Sequence, residues 1–292
     1  MGSSLPHTSP VTTDPIKKVA VVAPAGTASD ARVHRGLDAL QSYGLEVQVI
    51  PTGHRPRHYL AGDDDYRAEA LRRAWSIDVD AIWALRGGFG SIRTLQTLGG
   101  YTDPKPVFGF SDITAILAHA PVGWHAPVVT QLPNLDATSR DALASVIAGT
   151  YKSIPLSQDA TVLKPGRAVA GITGGNLTVL GSLCGTPWQV NCRDKILFLE
   201  DVGEPPYRVD RVWSQLKLSG ALDGIRGLIL GRFTGIADGE LTTMRNLFME
   251  MAQDIDGPVL EGLPVGHLQE NVPIPMGRVV DFNSESRELT IQ

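Results

Sequence analysis

The sequence predicts an α/β fold built on parallel strands with helical crossovers, and three observations carry that prediction. Short apolar, β-branched runs alternate with helix-period segments through the first half of the chain, the pattern of βαβ units. Several of those runs end in glycine-containing turns that open a helix. The length of 292 residues suits about two domains of about 150 residues each, and the regular alternation fails near the middle.

In order, Lys18–Val22 is the first strand and ends at Ala23-Pro24-Ala25-Gly26. A polar stretch then precedes a helical pattern in which Val33, Leu37 and Leu40 recur at helical spacing. Residues 45–50 form the next strand, a charged helix follows over 64–75, and residues 81–85 return as a strand. Arg86-Gly87-Gly88-Phe89-Gly90-Ser91 opens another helix, after which 107–110 is a strand and 112–119 a helix. Residues 148–167 lack the alternation and contain Lys164-Pro165-Gly166, so 151–167 reads as a linker. The second half carries strands at 196–199, 227–230 and 289–291, with helices at 208–219 and 240–252. The expected organisation is a disordered segment at 1–16, an N-terminal domain at 17–150, the linker, and a C-terminal domain at 168–292.

Composition narrows the function classes. A chain of this size buries about three-quarters of its unfolded surface and needs no disulfide or metal to fold. Its net charge is -5 and it has no basic run, which argues against a nucleic-acid partner because phosphates call for clustered Lys and Arg. Residues 1–16 are rich in Ser, Thr and Pro without an apolar core, so they read as neither signal peptide nor anchor. No apolar run reaches the roughly 18 residues of a membrane span. The two cysteines, Cys184 and Cys192, match neither a redox pair nor a zinc pair. These features predict a soluble cytoplasmic protein with ordinary thiols, no cofactor and no metal.

Gly109-Phe110-Ser111-Asp112 sits where a buried strand turns into a helix, an arrangement that lifts a serine Oγ above a sheet. Position 113 is Ile where the usual elbow has a second glycine, and Ser111 could instead be a helix N-cap. A nucleophilic serine needs a base, and seven histidines are available. His7 lies in the tail, and His34, His54 and His58 are in polar segments. His119, placed on the same helix, stands about 12 Å along its axis from Ser111 at about 1.5 Å per residue. His125 and His267 remain, the latter ending the loop Gly262-Leu263-Pro264-Val265-Gly266. A carboxylate must orient the base. Glu200 closes an apolar strand at its carboxyl end, and its neighbour Asp201 competes for the role. The 87–91 loop reads as a tight turn, a phosphate cradle without the full motif, or half of an oxyanion hole; Gly174-Gly175-Asn176 reads as a structural turn.

Taken together, these segments resemble the LD-carboxypeptidase family, the S66 serine peptidases, which include muramoyl-tetrapeptide carboxypeptidases and microcin C self-immunity peptidases. The resemblance rests on Tyr59-Leu60-Ala61-Gly62-Asp63, Asp80-Ala81-Ile82-Trp83-Ala84-Leu85-Arg86-Gly87-Gly88-Phe89-Gly90 and Gly109-Phe110-Ser111-Asp112-Ile113-Thr114. In the second half it rests on Gly174-Gly175-Asn176-Leu177, Leu197-Phe198-Leu199-Glu200-Asp201-Val202-Gly203-Glu204, Tyr207-Arg208-Val209-Asp210-Arg211 and Gly262-Leu263-Pro264-Val265-Gly266-His267. They occur in family order over nearly the whole chain. The resemblance implies a flavodoxin-like N-terminal domain and a smaller mixed α/β C-terminal domain, with a Ser111–Glu200–His267 triad across their interface. It also implies an oxyanion hole from the backbone N–H groups of Asp112 and Gly88, and a homodimer. One departure is Ala126 after His125, where many members carry glycine; alanine resists the φ > 0 conformations glycine permits.

The activity implied is hydrolysis of an L,D-amide bond, releasing a terminal D-alanine from a peptidoglycan-derived tetrapeptide in cell-wall recycling. The alternatives are a microcin C-type peptidase cleaving a peptidyl or aminoacyl nucleotide amide, and a non-catalytic peptide-binding protein on the same fold. No aromatic-rich insertion accompanies Trp188 to hold a nucleotide, which favours the tetrapeptide reading.

Overall fold

The protein is described by a computed structural model over residues 14–51 and 56–292. Most of the 1–16 segment expected to be disordered lies outside the described residues, as do His7 and His54. The first half runs β1 (Lys18–Val22), α1 (Asp30–Ser42), β2 (Glu46–Val49), α2 (Asp64–Ser76), β3 (Ala81–Ala84), α3 (Ser91–Leu98), β4 (Val107–Gly109), α4 (Thr114–Leu117), β5 (Gly123–His125) and α5 (Ala137–Ile147). The second runs β6 (Thr161–Lys164), β7 (Arg167–Asn176), α6 (Leu177–Ser182), β8 (Lys195–Val202), α7 (Pro206–Leu218), β9 (Gly227–Thr234), α8 (Leu241–Gln253), β10 (Val259–Glu261), β11 (Ile274–Met276), β12 (Val279–Asn283) and β13 (Glu288–Ile291).

The first sheet has the order β11-β5-β4-β3-β1-β2. Strands β1 to β5 are all parallel, and their order is the flavodoxin-like one, which places the carboxyl ends of β1 and β3 at the point where strand order reverses, with that of β4 next to β3. The second sheet has the order β13-β12-β7-β8-β9-β10-β6 and is mixed, with a parallel centre from β7 to β10 and antiparallel edges. Its central strands read as continuous apolar runs because both faces are buried. Ile196 and Phe198 of β8 face a core shared with Val22, Ile82 and Ile113 of the first half. Leu197 and Leu199 face α6, α7 and α8 instead, packing with Leu180, Trp213 and Met251. The opposite face of the first sheet, with Val19, Val21, Trp83 and Phe108, is covered by Leu40 of α1 and Leu143 of α5.

Three sequence readings need correction. The 151–167 stretch read as linker contains β6, which pairs antiparallel with β10, and Ser153 bridges to Thr290. An edge strand of four half-buried residues gives too little alternation to be recognised. Gly174-Gly175-Asn176 is no turn but the end of the ten-residue strand β7, where Asn176 Oδ1 accepts from Val179 N–H and caps α6. The helix read at 112–119 begins as a 3₁₀ turn over Ser111–Ile113 and ends at Leu117. His119 therefore lies beyond it, with its ring Nε2 2.6 Å from the Trp188 carbonyl oxygen. Strand β11, from the second half, adds antiparallel to β5 and stitches the two halves together.

Candidate active site

β4 ends at Gly109, and Phe110 extends it before the chain reverses through Ser111, which holds φ at 61°. That left-handed conformation is strained for a non-glycine residue, and it aims the side chain out of the turn. The N-cap alternative for Ser111 fails, since Phe110 occupies the cap position and no side chain bonds the cap. The turn is pinned from several sides. Ser91 N–H donates to Asp112 Oδ2 at 2.9 Å, Ser91 Oγ–H to the Asp112 carbonyl oxygen, and Asn176 N–H to Thr114 Oγ1 at 3.0 Å. Burial holds the Asp112 carboxyl above its ordinary range, although the Ser91 N–H works against that.

His267 comes from the loop between β10 and β11, and the loop is tied to both halves. Gly262 N–H and Leu263 N–H donate to the Leu230 carbonyl of β9, at 2.9 and 3.1 Å. On the other side, Gln131 Nε2 donates to the Leu268 carbonyl at 2.9 Å and Asp136 N–H to the Gln269 carbonyl at 3.1 Å. The His267 ring lies over Phe110 with centroids 4.9 Å apart. Its Nε2 is 2.9 Å from Ser111 Oγ, and its Nδ1 is 2.9 Å from Glu200 Oε2. An ionised carboxylate only accepts, so Nδ1 carries the proton and Nε2 is left to accept from the serine hydroxyl.

Glu200 is fully buried at the carboxyl end of β8. Its pairing with β9 shifts register between Leu199 and Asp201, so two residues, Gly231 and Arg232, stand opposite this one glutamate. Bulges of this kind re-aim side chains beside active sites. Burial pushes the Glu200 carboxyl up from the ordinary range, and the contact with His267 pulls it back down. Asp201, the competing carboxylate, points the other way. It accepts from Asn176 Nδ2 at 3.0 Å and from Thr178 N–H and Oγ1–H at 2.9 and 2.7 Å, fixing β7 and α6 to β8. His125, the other candidate base, is fully buried, with Nε2 4.0 Å from Glu200 Oε1.

The Arg86-Gly87-Gly88 turn follows β3 and faces the elbow. A Cβ on Gly87 would stand 3.2 Å from Ser111 Oγ and 3.3 Å from Asp112 N, so only glycine leaves this space open. Gly88 holds φ at 101°, which turns its backbone toward the same cleft. The cleft measures about 360 Å³ and is lined by Ser111, His267, Gly88 and Phe110 together with Arg32 and Arg86. Neither arginine stands out in the sequence. Arg86 lay in a loop read for its glycines, and Arg32 looks like any surface cation on α1. A pocket of about 400 Å³ elsewhere, bounded by Asp159, Arg232 and Glu261, holds none of the three residues brought together here. Ala126 does not hold a positive φ, so alanine is compatible with the backbone at this position. Among the described residues no group of three or more His, Cys, Asp and Glu side chains is arranged to hold a metal ion, and no helix is long and apolar enough to cross a membrane.

A flavodoxin-ordered sheet with a strained serine turn, joined to a mixed sheet that supplies a carboxylate and a histidine loop, defines a two-part mixed α/β architecture with a candidate site between the parts. The comparisons with known proteins give the family. The sequence profile of the LD-carboxypeptidase N-terminal domain matches residues 19–126, and that of the LD-carboxypeptidase C-terminal domain matches residues 170–282. The chain is 32% identical to the murein tetrapeptide carboxypeptidase of Pseudomonas aeruginosa, over 89% of this chain and 91% of that one. It is 24% identical to the microcin C7 self-immunity protein MccF of Escherichia coli, over 92% and 91% of the two chains. The crystal structure of muramoyltetrapeptide carboxypeptidase from Oxalobacter formigenes superposes with a TM-score of 0.80 at 28% identity, covering 93% of this chain and 98% of that one. The chain belongs to the LD-carboxypeptidase family, S66, and is a peptidase of the hydrolase class.

Proposed function

We propose that the protein is a serine LD-carboxypeptidase that removes the terminal D-alanine from peptidoglycan-derived tetrapeptides. The observation that carries this reading is the unbroken chain from Ser111 Oγ through His267 to Glu200, with both contacts at 2.9 Å. His267 Nε2 takes the hydroxyl proton as Ser111 Oγ attacks the carbonyl carbon, and Glu200 stabilises the imidazolium that forms. The tetrahedral oxyanion falls between the elbow and the Gly87-Gly88 turn, where the N–H groups of Asp112 and Gly88 are the candidate donors. A donor of this kind contributes about 2.7–4 kcal/mol to the transition state. His267 then gives its proton to the departing amine nitrogen of D-alanine, and water repeats the sequence on the acyl-enzyme.

Two features support an exopeptidase acting on short peptides. The cleft, of about 360 Å³, carries Arg32 and Arg86, cations suited to a free terminal carboxylate. The relatives named for murein tetrapeptides match over nearly the full chain. Purified protein incubated with a tetrapeptide ending in D-alanine is expected to release D-alanine, and Ser111→Ala to release about 10³-fold less or none. Equal release by both proteins would refute the serine assignment, and tetrapeptide binding without turnover in the wild type would favour a binding protein.

One observation favours a second reading, cleavage of an aminoacyl nucleotide amide. Tyr59 and Phe89 are exposed beside the glycine turn, edge to face at 6.0 Å, and could stack a base. Trp188 does not serve that end, being packed on His119 and Gly100. Parallel assays on the tetrapeptide and on an aminoacyl sulfamoyl adenosine separate the two. The cytoplasmic location and the homodimer implied by the resemblance belong to the same proposal; cell fractionation and sedimentation equilibrium test them.

A further inference from the structure

The Glu200 carboxylate has two oxygens, and only Oε2 is engaged, by His267. Oε1 is enclosed without a hydrogen-bond partner. A buried carboxylate oxygen that has lost water and gained no donor is costly, so its surroundings call for an explanation. The same orphaned condition holds for both ring nitrogens of His125, whose side chain is wholly buried. The orphans face each other across 4.0 Å, Nε2 of His125 against Oε1 of Glu200.

The surroundings fix the imidazole, and the one other acceptor near a ring nitrogen is the residue's own backbone carbonyl. His125 lies in β5, between Gly109 of β4 and Ile274 of β11, so its backbone is held on both sides. Its ring is met edge to face by Phe198 at 5.0 Å and by Phe110 at 5.9 Å. These walls are apolar and leave Glu200 Oε1 as the side-chain acceptor facing Nε2. The other groups near Glu200 are His267 from its loop, Asp201 from β8 and the Asn176 amide, whose N–H is directed to Asp201; Asp201 is spent on Asn176 and Thr178. Arg232, opposite on β9, directs its guanidinium to Ser157, Asp159 and Glu270.

We propose that His125 is a positioning residue: a neutral imidazole that donates Nε2–H to Oε1 of Glu200, so that the carboxylate is held through both oxygens while Oε2 orients His267. Closing the 4.0 Å separation to hydrogen-bond length takes a shift of about 1 Å. Burial and the neighbouring His267 hold the His125 imidazole down to about 3, so it stays neutral wherever an imidazole base works. A neutral ring keeps one proton, and the proton on Nε2 is the one that can meet Oε1. It remains on His125 throughout turnover. The donor matters most when the Glu200–His267 pair carries a net negative charge, because it then stabilises an anion; once His267 is protonated the pair is neutral. Removing the donor therefore raises the proton affinity of the pair.

This inference rests on the serine-hydrolase reading for its kinetic arm only. The direct test is the tautomer of His125 in the wild-type protein, read from long-range ¹⁵N correlation spectra of histidine-labelled protein at neutral pH. A proton on Nε2 supports the proposal, and a proton on Nδ1 overturns it, whatever the substrate proves to be. In turnover, His125→Phe fills the site without a donor. It is expected to lower kcat by about 10–100-fold at nearly unchanged KM, and to move the acid limb of kcat/KM to higher pH. His125→Gln, which restores an N–H, is expected to recover most of both. A Phe variant with the wild-type kcat and acid limb, or a Gln variant as impaired as Phe, overturns it. If His125→Phe does not fold, the tautomer decides.

Discussion

Glu200 and Asp201 are consecutive residues whose carboxylates serve opposite faces of β8. Glu200 turns toward the first sheet and meets His267, while Asp201 turns toward α6 and binds Asn176 and Thr178. The alternation of side chains along a strand separates them, and the register shift in the pairing with β9 sits at the same point. One carboxylate belongs to the candidate chemistry and the other to the scaffold, although both are almost fully buried.

That division predicts different phenotypes. Asp201→Ala strands the buried Asn176 Nδ2, a loss of about 1–3 kcal/mol, whereas the exposed Thr178 donors can turn to water. Thermal unfolding is expected to shift down by several degrees. Any activity lost at low temperature should be far smaller than in Glu200→Gln. Equal loss in both variants at a temperature where both are folded would contradict it.

Glu200→Gln is expected to lower kcat by about 10²–10⁴-fold, as the wrong partner for an imidazole does. It is also expected to raise stability at neutral pH. Burial raises the folded carboxyl pKa above its value of about 4.5 in the unfolded chain. The folded state therefore binds its proton more tightly, and stability contributed by this group is full below that value and falls as pH rises through the folded one. The Tm advantage of the Gln variant should thus shrink on acidification toward pH 4, which scanning calorimetry at several pH values checks. A constant gap would mean that Glu200 is not destabilised by burial.

Gly87→Ala tests the space beside Ser111. The new methyl would lie 3.2 Å from Oγ and 3.3 Å from Asp112 N, where a tetrahedral oxyanion needs room. Gly87 is not in the left-handed region, so alanine is compatible with the backbone. The expected result is a kcat/KM reduced about 10²-fold or more, the size of an oxyanion donor lost, with a small fall in Tm because the methyl also stands 3.1 Å from Ser111 Cβ. Unaltered turnover would move the oxyanion site elsewhere.

The cleft arginines predict recognition of a free carboxylate. Amidating the C-terminus of the tetrapeptide should raise KM about 10-fold or more, a loss on the scale of a charge-assisted hydrogen bond. Arg32→Gln should raise KM for the free acid while leaving kcat close to wild type, and should flatten the difference between acid and amide. Arg86 also donates to the Thr27 carbonyl oxygen, so Arg86→Gln is expected to cost stability as well. An amide handled as well as the acid by the wild type would dismiss the carboxylate role.

Much of the fold and of the site could be read from residue order. Lys18–Val22, Ala81–Ala84 and Val107–Gly109 are continuous apolar runs because parallel strands are covered on both faces, and the helices between them keep their spacing. The glycine turns after those strands stood out because only glycine allows the backbone approach seen at Gly87. Position alone marked Ser111 and Glu200 at strand ends and left His125 beside His267 as possible bases. The short edge strand β6 and the addition of β11 to the first sheet were not legible, because their stabilising partners are remote in sequence, and the cap at Asn176 was hidden because the glycines before it read as a turn rather than as the end of a strand.

The sequence by itself determined the α/β class, the strand-to-helix turns and a short roster of residues able to do chemistry. Only the tertiary structure brings three of them together. It put His267 at 2.9 Å from both Ser111 Oγ and Glu200 Oε2, across separations of 156 and 67 residues, and it turned Asp201 away. It also buried His125 against the free oxygen of Glu200. The reason is physical: local periodicity fixes which face of a strand is buried, whereas the meeting of two sheets, the bulge at Glu200 and the anchoring of the His267 loop to both halves depend on contacts that no local pattern encodes.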